Sequence, residues 1–181
     1  TYSISGTDAG DFSINSSSGV LTFASTPNYE SAADADANNE YIVIVQVSDG
    51  SNTDTQTITV TVTNVDDVNP VITSNSGGST ASISFAENST ATVTTVTSTD
   101  ADAGDTPTYS HSGTDAGDFS INSSSGVLTF ASTPNYESPA DDGTNNEYIV
   151  IVTVTDSGGN TDTQTITVTV TNVDDVNPVI T

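Results

Sequence analysis

The chain has 181 residues with 24 Asp plus Glu, no Lys or Arg, one His and no Cys, for a formal net charge of −24. A surface without cations cannot neutralise nucleic-acid phosphates or anionic lipid headgroups, and a chain without Cys has no disulfide, thiolate nucleophile or Cys-ligated zinc. Apolar residues make up only 33%, but the charged fraction is 13% and gathers in short clusters between alternating runs, which reads as all-β with a thin core rather than as disorder.

The segment Gly6–Ser31 returns unchanged as Gly113–Ser138, an offset of 107 residues. After Asp49 and Asp156 one extra residue in the second copy moves the offset to 108, and Thr53–Thr73 then matches Thr161–Thr181. This is a tandem array. Its register divides the chain into 1–70, the C-terminal part of a repeat lacking its first two strands, 71–178, a complete repeat, and 179–181, the start of a third. No signal peptide or anchor is recognisable, as expected for an excerpt of a longer secreted chain.

In chain order, Asn15–Gly19 is a turn cluster between two short strands, repeated as Asn122–Gly126. The loops Ala33–Asp36 and, in the second copy, Ala140–Gly143 carry acids that read as solvated, the alternative being that they add a ligand to an ion site. The apolar stretch Tyr41–Val45 falls far short of the roughly 20 residues of a membrane helix. Asn64–Pro70 follows the last strand of the first copy, its Pro ending the ladder and forcing an extended linker.

In the complete copy alternation predicts strands over Ala81–Ala86, Ala91–Ser98, Thr108–Ser112, Asp118–Ile121, Gly126–Ala131, Glu147–Thr155 and Thr161–Val173. Seven short strands in about 100 residues suit a Greek-key β-sandwich of immunoglobulin-like architecture. In the sixth, Tyr148, Val150, Val152 and Val154 share the core face, while Ile149 and Ile151, matched by Ile42 and Ile44, lie opposite. Those isoleucines are either ordinary surface apolars or a lateral contact to other copies.

The acids collect where the modules end. Adjacent carboxylates in Asn64–Pro70 and Asn172–Pro178 repel one another, and the step Asp100-Ala-Asp102 lets two side chains converge on one point. With no internal counter-charge, the positive charge is expected from solution as a metal ion. Six to eight oxygen ligands of irregular geometry suit calcium better than magnesium. A solvated acidic surface is the competing reading, but it would scatter Asp over the strand faces.

These motifs occur in the order of a cadherin repeat, and the whole chain resembles bacterial cadherin-like tandem domains of large surface adhesins. Phe85-Ala-Glu-Asn88 resembles the first-strand glutamate motif, Asp100-Ala-Asp102 the Asp-x-Asp motif, and Tyr109-Ser the Tyr-Ser-Ile strand. Pro134-Asn-Tyr-Glu137 stands where the family has Leu-Asp-Arg-Glu, Asp156 ends the sixth strand at the family's single-Asp position, and Asn172–Pro178 resembles Asp-x-Asn-Asp-Asn-x-Pro. The resemblance implies Ca2+ between successive modules, held by Glu30, Asp66, Asp67 and the Val68 carbonyl with Asp100, Asp102 and Asp156. Glu87, Glu137, Asp174 and Asp175 would serve the next junction and Asp49 the previous one. Asn28 and Asn135 replace a family Asp, Asn64 and Asn172 the linker's first Asp, and Asp66 and Asp174 its Asn, which leaves ion number and affinity open.

The implied function is a calcium-rigidified extender or adhesion module at the cell surface or outside the cell, whose partners are neighbouring repeats and, through Ile42, Ile44, Ile149 and Ile151, other copies. The alternatives are a self-assembling extracellular filament and a carbohydrate-binding module. No enzyme is expected. His111 is matched by Ile4 in the other copy and reads as a satisfied strand histidine, and paired acids for glycoside hydrolysis need a concave cleft.

Overall fold

The computed structural model describes residues 1–102 and 104–177 and divides into two compact units, Thr1–Val65 and Asp66–Thr181. The expected opening of a third repeat at 179–181, with Pro178, lies outside the described residues.

The first unit carries β1 (Tyr2–Ser5), β2 (Phe12–Ile14), β3 (Leu21–Phe23), β4 (Glu40–Ser48) and β5 (Thr53–Thr61). β1, β4 and β5 form one antiparallel sheet, β2 and β3 a hairpin. Phe12, Tyr41 and Val43 are its buried centre, with Ile4, Leu21, Phe23, Ile58, Val60 and Val62 packed around them.

The second unit continues with β6 (Val71–Ile72), β7 (Thr80–Ala86), β8 (Thr94–Thr95), β9 (Ser98–Thr99), β10 (Thr108–Ser112), β11 (Phe119–Ile121), β12 (Val127–Phe130), β13 (Glu147–Thr155) and β14 (Thr161–Thr171). One sheet runs β10-β13-β14-β7, with β7 parallel to β14 and the other pairs antiparallel. A second runs β11-β12-β8, and β6 pairs with β9. Among the described residues there is no α-helix, only three three-residue 3-10 turns.

The core follows from the alternation. Tyr148, Val150, Val152 and Val154 of β13 are buried with Ile166, Val168 and Val170 of β14, and Phe119 and Leu128 close over them from the second sheet. Phe119 stacks on Phe130 at 4.6 Å, and Phe130 meets Tyr148 edge-on at 5.1 Å and 88°. The first unit repeats this with Phe12, Phe23 and Tyr41, at 4.7 and 5.2 Å.

Three expectations need correction. The strand expected over Ala91–Ser98 is broken into β8 and β9, because Val93 and Val96 are both buried and a spacing of three cannot keep two side chains on one face of a strand. Val93, just before β8, and Val96, just after it, donate their amides to the Leu128 and Gly126 carbonyls at 2.9 Å each. The short strand β6 was not foreseen; it is two residues long, follows Pro70 and buries Ile72 against the core.

The third correction concerns the first acid of each loop, which is not solvated, whereas Asp36 and Asp142 are exposed as expected. Asp34 and Asp141 are 5% and 2% exposed. Asp141 accepts the backbone N–H groups of Asn145 and Asn146 at 2.9 and 3.0 Å, and Asp34 those of Asn38 and Asn39 at 2.8 and 3.2 Å. Asn39 and Asn146 both take φ +65°, a left-handed conformation that Asn tolerates. Asp115, equally buried, accepts Asp142 N–H at 2.8 Å and Ile149 N–H at 2.7 Å, pinning the same loop to β13, and Asp8 does so for β4.

On the outer face of β4 and β13, Ile42 and Ile149 are 42% and 41% exposed, while Ile44 and Ile151 are half-buried. The chain crosses close to the β13 backbone here: a Cβ on Gly113 would lie 3.2 Å from the Ile149 carbonyl and the Ile151 amide. His111 Nε2 lies 3.2 Å from the Ala116 carbonyl, the expected satisfied imidazole.

Candidate metal centres at the ends of the second unit

At one end of the second unit the 100–105 segment, which follows β9, meets the β13–β14 turn. One carboxylate oxygen each from Asp100, Asp105 and Asp156 lies within 4.8 Å of the others, and the same holds for Asp66, Asp102 and Asp105. Local folding fixes these groups. Asp156 Oδ1 accepts Gly159 and Asn160 N–H at 2.6 and 2.7 Å, closing the turn. Asp100 Oδ1 accepts Asp102 N–H at 2.9 Å, and Asp102 Oδ2 accepts Asp67 and Val68 N–H at 3.1 and 2.9 Å, which ties the 66–68 backbone to this end.

The oxygens that remain are the informative ones. Oδ2 of Asp100, Asp105 and Asp156 is buried and accepts no hydrogen bond, an arrangement that native proteins avoid unless an ion or water completes it. Asp100, Asp102, Asp105 and Asp156 line a cavity of 160 Å³ with Pro70, Ser98, Gly104 and Pro107. Burial, and then the charges of Asp105, Asp156 and Asp102, push the Asp66 carboxyl above its ordinary range, although Ser157 donates to it. This carboxylate also lies over Gly158, where a Cβ would sit 2.5 Å from it. With no Lys or Arg in the chain, the donor set is carboxylate oxygen throughout and fits a hard divalent cation.

At the opposite end, oxygens of Glu87, Glu137 and Asp175 come within 4.8 Å of one another. Glu87 is 2% exposed; its two oxygens accept Val173 N–H at 2.7 Å and Tyr136 N–H at 2.8 Å. These amides, Val173 first, hold its carboxyl below the ordinary glutamate value against the opposing effect of burial. Asn172, in place of a family Asp, donates to Glu137 at 2.9 Å, and Asn88 donates to Asp175.

Of the residues singled out from sequence, the second unit thus brings together Asp66, Asp100, Asp102 and Asp156 at one end and Glu87, Glu137 and Asp175 at the other. Asp67 and Val68 enter through their amides, and Asp174 belongs to none of the clusters among the described residues. Asp49, in the first unit, accepts Asn52 and Ser51 N–H at 2.7 and 2.8 Å, and these bonds hold its carboxyl low. Glu30 lies in the first unit too, at the position equivalent to Glu137. Asp105 was missed. Its signal was the third acid of the run Asp100–Asp105, brought back to the others by a turn at Gly104 with φ +95°. Asn28 and Asn135 are turn closers, accepting Ser31 and Ser138 N–H at 3.0 and 2.9 Å.

The sequence matches the Cadherin domain family over residues 81–171, half of the chain, and the chain belongs to that family. It is therefore a structural adhesion module of the extracellular repeat type and not an enzyme, in a family for which calcium binding is typical. No curated protein matches the chain. Among solved structures, it is similar to Drosophila N-cadherin EC1-4, at 22% identity and a TM-score of 0.75 over 94% of this chain and 41% of that one. Mouse cadherin-23 EC22-24 gives 24% identity and 0.70 over 95% and 52%. Human protocadherin-24 EC1-2 gives 20% and 0.74 over 96% and 82%. Identities of this size show the shared sandwich fold. No helix among the described residues is long and apolar enough to cross a membrane.

Proposed function

We propose that the chain is a calcium-stabilised extender of a repetitive bacterial surface adhesin, with Ca2+ bound where one repeat of 108 residues, such as 71–178, meets the next. The observation that carries this reading is the buried, unbonded Oδ2 on each of Asp100, Asp105 and Asp156. Asp66 and Asp102 are ligands of the same group, with Asp67 and the Val68 carbonyl supplied by the linker. Glu87, Glu137, Asp174 and Asp175 serve the following junction. Glu30 is assigned a ligand role by its repeat equivalence to Glu137, and Asp49 by its equivalence to Asp156. Near-identical repeats suit a spacer better than a specific receptor. A laterally assembled fibre would rest on Ile42 and Ile149, a narrower stripe than two isoleucines per repeat.

Calorimetric titration of the 181-residue chain with calcium tests the assignment. Asp100→Asn with Asp105→Asn should weaken binding at least tenfold, and Asp142→Asn should leave it unchanged. Equal affinities in the two variants would overturn the ligand set.

A further inference from the structure

Away from the acidic ends, each unit has a second concavity that the calcium reading does not use. In the second unit it is a cavity of 100 Å³ walled by Asp118, Phe130, Thr133, Pro134, Ala140 and Tyr148 among others. In the first unit a cavity of 150 Å³ is walled by the exact counterparts, Asp11, Phe23, Thr26, Pro27, Ala33 and Tyr41. Both copies thus leave the same hole in the same place, with room for about three to five water-sized groups.

Its chemistry is that of an apolar floor with one charged wall. Phe130 and Tyr148, ring centroids 5.1 Å apart, form the floor, and Tyr148 Oη is occupied in accepting Ala140 N–H at 3.0 Å. The Asp118 carboxylate is half-buried and accepts no hydrogen bond from the described residues. It also lies within electrostatic reach of Asp115 and Asp141, whose own oxygens are spent on backbone amides. A water-accessible carboxylate with no protein donor, set beside two more negative charges, favours a cation over any other charged ligand. Only one carboxylate lines the cavity, so the oxygen cage of a metal ion is absent; an aromatic floor with a single anion suits a cation on an apolar stem. An arginine fork would leave most of its five donors unmet there, whereas an ammonium needs three acceptors, and Ser132 and Thr133 line the same cavity as Asp118.

We propose that this duplicated cavity is a socket for a lysine side chain of a partner protein, the ammonium on Asp118 (Asp11 in the first unit) and the methylene stem along Phe130 and Tyr148 (Phe23 and Tyr41). The lysine lies outside these 181 residues, which contain none. One exposed ion pair binds weakly, and two sockets per chain give a partner with several lysines an avidity that neither socket has alone.

The test is an NMR titration of the full ¹⁵N-labelled chain with N-acetyl-lysine N-methylamide, in calcium and again in chelator. Saturable shifts are expected at the amides of Asp118, Ala131, Ser138 and Ala140 and their counterparts in the first unit, and none with the norleucine analogue. Asp118→Asn should weaken the second-unit response at least fivefold and spare that of the first unit; Asp142→Asn, the same loss of charge outside the cavity, should spare both. Shifts spread over the acidic surface, equal loss with Asp142→Asn, equal binding of norleucine, or no response at tens of millimolar probe would each overturn the socket. The chelator arm separates this result from the calcium reading, because the cavity shares no residue with the acidic ends.

Discussion

The Asp141 carboxylate ends on two backbone amides inside a loop whose composition looks solvated, and the adjacent Asp142 side chain is exposed. Replacing Asp141 by Ala leaves the buried Asn146 N–H and the partly buried Asn145 N–H without acceptors, at about 1–3 kcal/mol for a fully buried group. Asp141→Ala should therefore cost about 2–4 kcal/mol in urea unfolding, and Asp142→Ala almost nothing. Asp118 behaves in the opposite sense. Burial first, then Asp115 and Asp141, raise its carboxyl above the ordinary value, so the folded chain holds this proton more tightly than the unfolded one. Its contribution is absent below the unfolded value and becomes unfavourable as pH rises through the raised folded value. Asp118→Asn should raise the melting temperature at neutral pH, and the gain should disappear on acidification below the unfolded value. A gain independent of pH would contradict the electrostatic origin. Charge placement along the sequence was legible at the ends because Asp-x-Asp and Asp-Asp steps force convergence. It was not legible in the loops, where a lone Asp that accepts amides and a lone Asp in water have the same letters.

β5 and β14 carry one sequence in two environments, and the difference lies in a neighbour. β14 has β7 alongside in parallel register, Ile166 opposite Ala81 and Val168 opposite Ile83, and both are fully buried. Among the described residues β5 pairs only with β4, and its Ile58 is half-buried. Ile166→Ala should cost about 2–5 kcal/mol in the second unit, and Ile58→Ala roughly 1 kcal/mol in the first, read from amide exchange in each strand. Equal costs would mean that β7 adds no effective burial to β14. The strands themselves were easy to read: Thr108–Ser112 and Glu147–Thr155 have the expected bounds because strict alternation and flanking turn residues mark both ends. The 91–98 segment was not, since Ala, Thr and Val in succession offer a strand propensity that only the core's demand for both Val93 and Val96 overrides.

A net charge of −24 with no internal cation sets the balance of the whole chain, because self-repulsion opposes every compact state. Two kinds of relief differ in measurable ways. Dissolved salt screens all the carboxylates alike, with a Debye length of about 8 Å at 0.15 M. A bound ion acts only where oxygens are already arranged, as they are at Asp100, Asp105 and Asp156. Extracellular calcium modules bind with Kd of about 10⁻⁴–10⁻³ M, so at ten times Kd each ion adds about 1.4 kcal/mol, or roughly 5–10 °C in the melting temperature of a unit of this size. Magnesium demands near-ideal octahedral geometry and gives up water reluctantly, so at equal ionic strength it should reproduce only the screening part. A thermal melt in 0.15 M NaCl with chelator, with magnesium, and with millimolar calcium should show a small shift with magnesium and a large one with calcium. The calcium increment should vanish in Asp100→Asn with Asp105→Asn. If magnesium matches calcium, screening alone carries the stabilisation, and the acidic ends reduce to a solvated surface.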